Sequence, residues 1–197
     1  METREPGLPQ DGQADARPTL WTVGHSTRSL EAFIDLLRAH RIGAIADVRR
    51  FPGSRRYPWF ASEALARSLP EAGIAYRWLP QLGGRRRAVP GSPNGAWRNA
   101  AFQGYADHMA SAEFAEGLDL ALQLAAAHRT ALMCAEAVWW RCHRRLVSDL
   151  LQHRGWQVLH IVDARAAQEH PGHPDARAQG ADLVYPPRQE GLFPAAD

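Results

Sequence analysis

LWTVGHSTRSLEAFIDLL, residues 20–37, decides how this chain is to be read. Residues 20–24 are a short apolar run closed by a glycine. Ser29 then opens a stretch in which Leu30, Phe33, Ile34 and Leu37 fall at i, i+3, i+4 and i+7, the apolar stripe of a helix. A strand therefore runs directly into a helix, and the alternation continues downstream. Residues 42–48 form a second apolar run closed by Arg49-Arg50. Residues 62–72 read as a helix with Ser62 as N-cap and Gly73 just beyond its end, and residues 74–79 as a third strand. After a Gly/Arg/Pro-rich loop to about residue 104, the spacing predicts one long helix over 105–128 and a fourth strand over 130–134. A helix over 142–153, stopped by Gly155, and a fifth strand over 156–162 complete the pattern.

Strands alternating with helices imply an α/β fold, because parallel strands need crossover connections and these are almost always right-handed. The expected architecture is a single three-layer domain over residues 19–163 with a mostly parallel five-stranded sheet in the order 3-2-1-4-5. Residues 1–18 read as a disordered N-terminal tail and 164–197 as a poorly structured C-terminal tail, with a possible docking segment at 181–187. Ligands of such sheets bind beyond the carboxyl ends of the strands at the switch point. The polar residues of this chain collect there: after strand one, strand two, strand three and strand four.

The formal net charge of +2 conceals 23 Arg and no Lys. Schiff-base chemistry, a lysine-anchored pyridoxal phosphate and a Walker-A loop are thereby excluded from this chain alone. Acid/base work falls to His, Asp, Glu, Cys or Tyr, and anion recognition to Arg. Residues 49–98 hold ten Arg against two acids, Glu63 and Glu71, interleaved with Phe51, Tyr57, Trp59, Phe60, Tyr76, Trp78 and Trp97. Phosphate contact beside stacking rings is the pair of interactions that holds a nucleotide or single-stranded nucleic acid. No membrane-length apolar run and no secretory signal are visible, so a cytoplasmic protein is expected.

TVGHS (22–26), DVRRFPGSRR (47–56), GIAYRWLPQLGGRR (73–86), FQGYADHM (102–109), LMCAE (132–136) and CHRRL (142–146) together resemble the bacterial and archaeal domain-of-unknown-function family 488. The resemblance spans roughly residues 20–162. It implies a single α/β domain with a shared site and no established substrate.

The segment from Cys134 to Arg145 runs from a strand end to a helix start, where free backbone N–H groups favour an anion. Arg141, Arg144 and Arg145 crowd that helix start against the dipole, so something negative should offset them: a phosphate-bearing ligand, or an internal acid such as Glu136 or Asp47. Glu136 is the leading general acid/base, with His25 as its partner in proton transfer. Ser26, Asp47, Arg49, Arg141, Cys142, His143 and Arg144 are expected to bind the ligand, and Gly83, Gly84 and Arg85 to close over it. Asp47 and Arg49 have a competing reading as a mutual ion pair. Cys134 reads as a small buried hydrophobe; Cys134, Cys142 and His143 with His25 or Glu136 could in principle supply the four ligands of a zinc ion, but without a Cys-x-x-Cys knuckle no metal is expected. No organic cofactor is called for. His160 reads as a core residue in strand five, whereas His40, His108, His128, His153, His170 and His173 read as solvated or capping.

The expected function is a hydrolase or transferase acting on a nucleotide, nucleoside or single-stranded nucleic acid. Two other classes compete: a non-catalytic nucleic-acid-binding or regulatory module, and a thiol redox protein using Cys134 and Cys142.

Overall fold

The computed structural model describes residues 17–53 and 55–188. In chain order the elements are β1 (Thr19–Gly24), α1 (Leu30–Ala39), β2 (Ala44–Asp47), α2 (Ser62–Glu71), β3 (Ala75–Trp78), α3 (Ala100–His108) and α4 (Ala112–Ala127). They continue with β4 (Thr130–Cys134), α5 (Arg144–His153), β5 (Gln157–Ile161), β6 (Gln168–Glu169), β7 (Arg177–Gln179) and β8 (Asp182–Val184).

The α/β architecture is as expected, with helices on both faces of a mostly parallel sheet. Side chains alternate across the sheet with the period-two geometry of a strand. Trp21, Val23 and Ile45 pack against Phe33 and Leu37 of α1 and Leu65 and Leu69 of α2. Leu20, Ala46 and Leu132 face the opposite layer, where Tyr105, Phe114, Leu118, Leu146 and Leu150 lie on α3, α4 and α5. Both faces are covered, which is why β1 and β4 read as uninterrupted apolar runs. Each fully buried Leu, Ile or Phe here contributes roughly 1.5–3 kcal/mol.

The strand order differs from the expectation in one exchange. The sheet runs β3-β2-β4-β1-β5-β6, so β4 rather than β1 lies beside β2. Ala46 pairs with Leu132, and Val23 with Met133. Both strands are predominantly apolar and buried, and a helical crossover can span a neighbour, so hydrophobic pattern alone could not order them. The consequence is local: Gly24, at the end of β1, stands opposite Cys134, at the end of β4.

Three boundaries also move. The long helix expected over 105–128 is two helices, because Ser111 caps α4 by accepting from the Phe114 N–H at 3.2 Å while the apolar period continues across the break. Helix α2 begins at Ser62 with Ala61 at the cap position, and Gly73 follows it at φ 79°. Helix α5 starts at Arg144, so Cys142 and His143 precede its first turn.

The expectation of a poorly structured C-terminal tail does not describe residues 164–188. Strand β6 pairs antiparallel with β5, and β7 and β8 form a hairpin. The docking segment is anchored by buried Leu183 and Tyr185, whose N–H donates to Asn94 Oδ1 at 2.9 Å. Long-range pairing supplies what local periodicity lacked. The tail expected at 1–18 lies outside the described residues except for Arg17 and Pro18. No helix among the described residues is long and apolar enough to cross a membrane.

Candidate functional site

A cleft of about 250 Å³ opens at the carboxyl edge of the sheet. Its walls come from Arg49, Arg50 and Phe51 after β2, Gly84 and Arg85 after β3, and Ala101 and Phe102 on α3. Cys134, Ala135 and Glu136 after β4, with Arg141, Cys142 and His143 before α5, complete it. Three of the four expected loops thus form the walls.

The fourth loop stands behind the cleft. Gly24 makes this possible: a Cβ there would lie 1.8 Å from the carbonyl oxygen of Glu136, so only glycine lets the end of β1 approach the loop after β4. His25 and Ser26 donate their N–H groups to the carbonyls of Cys134 and Ala135 at 3.0 and 2.9 Å. His25 is buried, stacks on Phe60, donates from Nδ1 to the Ser26 carbonyl at 2.9 Å and accepts from Arg49 at Nε2 at 3.1 Å. Burial first, and then the Arg49 charge, lower its pKa to about 4. It is a neutral acceptor for a guanidinium, so the proton-transfer role expected of it has no free nitrogen to act through. Ser26 likewise does not line the cleft.

Asp47 and Arg49 realise the competing structural reading. Arg49 donates Nε to Asp47 Oδ1 at 2.8 Å and a terminal nitrogen to Oδ2, and the Tyr76 hydroxyl donates to Oδ2 at 2.7 Å. Another bond goes to the Phe60 carbonyl at 2.8 Å. Arg49 borders the cleft, but its guanidinium is occupied.

Arg144 also turns inward and is 1 % exposed. It donates to the Glu136 carbonyl, to Thr22 Oγ1 at 3.3 Å and to Cys142 Sγ at 3.5 Å, and has no direct carboxylate partner among the described residues. Beyond Thr22 a one-way chain of hydrogen bonds continues. The Thr22 hydroxyl donates to His160 Nδ1 at 2.7 Å, His160 Nε2 to His170 Nδ1 at 2.9 Å, and His170 Nε2 to Asp149 Oδ1 at 2.8 Å. Tyr185 donates to the other Asp149 oxygen at 2.9 Å. His160 is the core residue expected. His170, expected to be solvated or capping, is 2 % exposed, because the folded C-terminal segment carries it under the sheet edge. Its distance in sequence from Thr22 and Asp149 left no local signal for this chain of groups.

The remaining cleft residues are free for a ligand. The side chains of Arg50, Arg85 and Arg141 form no hydrogen bond or ion pair among the described residues; Arg50 lies over the Phe51 ring, 5.6 Å from its centroid. Arg85 sits at φ 61°, an uncommon backbone conformation for a side-chain-bearing residue. Glu136 has its carbonyl clamped by Arg144 and its exposed carboxylate without an ion-pair partner among the described residues. Phe51 is 67 % exposed at the mouth. Arg145 lies over Trp97 instead of joining the wall. Of the two glycines expected to close over a ligand, Gly83 is buried against the backbone of Arg50, where a Cβ would lie 2.7 Å from Cα, whereas Gly84 lines the cleft against the His143 ring.

The floor brings Cys134, Cys142 and His143 together. Cys134 and Cys142 are both buried free thiols. Their sulfurs and a ring nitrogen of His143 all lie within 4.8 Å of one another. His143 donates from Nε2 to the Val48 carbonyl at 3.0 Å, which leaves Nδ1 as the nitrogen 3.5 Å from Cys142 Sγ. Burial raises the Cys142 thiol, but its hydrogen bonds with Cys134 and His143 and the charge of Arg144 outweigh it and hold the thiol well below its ordinary range. Cys134 is pushed up by that same bond and by burial. Cys134 is buried in the core, as expected, and also lines the cleft.

The family model described as Domain of unknown function DUF488 matches residues 29–151. That span contains every quoted motif except TVGHS. No curated protein and no solved structure matches the chain.

Proposed function

The chain belongs to the DUF488 family, a membership that names no reaction, and we infer from its cleft an enzyme, a hydrolase or transferase, acting on a phosphate-bearing nucleotide unit, free or within a single strand. The observation that carries this reading is the contrast within one wall: Arg49 is neutralised by Asp47, while Arg50, Arg85 and Arg141 face the same space with no carboxylate partner among the described residues. Three unpaired guanidiniums around one concavity favour an anion, and guanidinium geometry suits phosphate. Phe51 at the mouth offers a face for a base to stack on. A second depression shares Arg50, Phe51 and Arg85 with the cleft and continues along Arg86 and Arg87, which suits a ligand longer than one nucleotide. In this reading Glu136 transfers the proton.

The test is binding of a fluorescent single-stranded oligonucleotide and of a nucleoside monophosphate, each across a salt series. Arg85→Ala and Arg141→Ala should each weaken binding about 10-fold, the size of one lost charge-assisted bond. Phe51→Ala should weaken the oligonucleotide more than free phosphate. Glu136→Gln should bind normally and turn nothing over. Affinity indifferent to both arginines and to salt would sink the ligand class. Arginine-dependent binding without turnover by the wild type would make the protein a non-catalytic binding module.

A further inference from the structure

We propose that Cys134, Cys142 and His143 form a metal centre for a soft divalent cation, zinc by its chemistry, with the fourth coordination position open to the arginine-lined cleft.

The donor set is the first argument. Two thiolates and an imidazole are the ligands zinc prefers, and three protein ligands with one open position are the arrangement of catalytic sites, not of closed structural ones. Spacing is the second. Bond lengths of about 2.3 Å to sulfur and about 2.05 Å to nitrogen at a tetrahedral angle separate the two ligand atoms by about 3.5 Å. Cys142 Sγ and His143 Nδ1 are 3.5 Å apart, and all three donor atoms fall within 4.8 Å.

A third argument is independent of both. A ligating histidine nearly always gives its other ring N–H to a carboxylate or a backbone carbonyl, which fixes ring and tautomer. His143 does this through Nε2 and the Val48 carbonyl at 3.0 Å, so the unprotonated Nδ1 faces the sulfurs. Arg144 donates Nε to Cys142 Sγ at 3.5 Å, a bond that favours a metal-bound thiolate. The geometry also explains Gly84: a Cβ there would stand 2.8 Å from His143 Nδ1, inside the space the cation needs.

A cation here gives the cleft its chemistry. Cleft-lining Cys134, Cys142 and His143 would hold it beside Glu136, two residues beyond Cys134. A water in the open position would ionise to hydroxide, its proton passing to the Glu136 carboxylate. That last use rests on the proposed nucleotide-directed function, whereas the metal centre itself does not.

The experiment therefore reads the metal directly. The full chain, purified without chelator, is assayed for metal content, then stripped and reloaded with zinc against a chromophoric competitor, and with cobalt for its thiolate-to-metal absorption. One zinc per chain and a thiolate–cobalt band are expected. Cys134→Ser, Cys142→Ser and His143→Ala should each lower zinc affinity by at least ~100-fold, beyond the ~10–100-fold typical of an outer-shell change. Should a ligand variant fail to fold, Gly84→Ala, with native circular dichroism, should lose at least ~10-fold. Glu136→Gln and Arg141→Ala should keep the metal, which separates this proposal from the binding and turnover tests. A wild-type chain that neither retains nor takes up zinc, or whose two thiols are modified equally fast with and without zinc, overturns it. So does quantitative formation of a Cys134–Cys142 disulfide in the presence of zinc.

Discussion

Arg49 and Arg144 are both buried beside the same cleft, and they are balanced in opposite ways. Arg49 meets the Asp47 carboxylate directly through two bonds. Arg144 meets a hydroxyl, a carbonyl and a sulfur, and is linked to a carboxylate, that of Asp149, through the hydrogen bonds of Thr22, His160 and His170. A buried cation without a carboxylate is costly unless another negative group stands close. On the Arg49 side the charge is settled within the fold, and that half is scaffold. On the Arg144 side the balance falls to the Cys142 sulfur, 3.5 Å from Nε, so that half leaves its charge turned toward the cleft-lining thiol.

The comparison breaks most visibly if the scaffold half is not scaffold. Asp47→Asn leaves Arg49 buried and uncompensated, and should cost about 3–5 kcal/mol of stability by chemical denaturation. A loss under about 1 kcal/mol would mean that water reaches Arg49 and that the two arginines are alike.

Acid probes both halves together. His25 accepts from Arg49 and has a pKa lowered to about 4, by burial and then Arg49. His160, in the chain beyond Arg144, is lowered to about 3, by burial, then His170 and Arg144. Unfolding restores both toward 6.5, so the unfolded chain binds more protons below that value. Their contribution is present above about pH 6.5 and is lost as pH falls toward 4, each accounting for on the order of 1–2 kcal/mol by pH 5. Stability measured from pH 7 to 5 should fall, and His25→Gln and His160→Gln should each flatten the slope. Parallel slopes in wild type and both variants would show that neither group is held neutral.

Arg144→Met should cost about 1–2 kcal/mol of stability, less than Asp47→Asn, since Cys142 can take up a proton once the guanidinium is gone and only neutral groups are then short of a partner. Its effect should appear in the thiols: Cys142 should alkylate more slowly in the metal-free protein as pH is lowered. A stability loss matching that of Asp47→Asn would show that Asp149 balances Arg144 through the intervening histidines after all.

Much of this was legible in the residues. The 3.6-residue stripe of residues 30–37 and the apolar runs at 20–24, 42–48 and 130–134 mark α1, β1, β2 and β4 because backbone period and burial are local properties. The site was legible by position, since Arg49, Gly84, Arg85, Glu136, Arg141, Cys142 and His143 all line the cleft at strand ends. The role of Arg49 was open between ligand and ion pair, and proximity of Asp47 settled it. His25 looked equally available after β1, yet the exchange of β1 and β4 in the sheet tucks it behind the wall. Cys134 read as packing from its place at a strand end, and it is buried in the core; that its sulfur also meets Cys142 and His143 depends on the turn over Trp139–Arg141, which returns the chain to it.

The amino-acid sequence by itself determined the layered α/β fold, the family, the absence of lysine chemistry and the edge of the sheet at which polar groups gather. Tertiary structure alone decided which arginines stay unpaired, which histidines are held neutral, and that two thiols and an imidazole share one floor. The physical reason is range. Periodicity and capping act over a few residues, whereas the balance of a buried charge depends on partners such as Thr22 and Arg144, or His170 and Asp149, that only the folded chain brings within hydrogen-bonding distance.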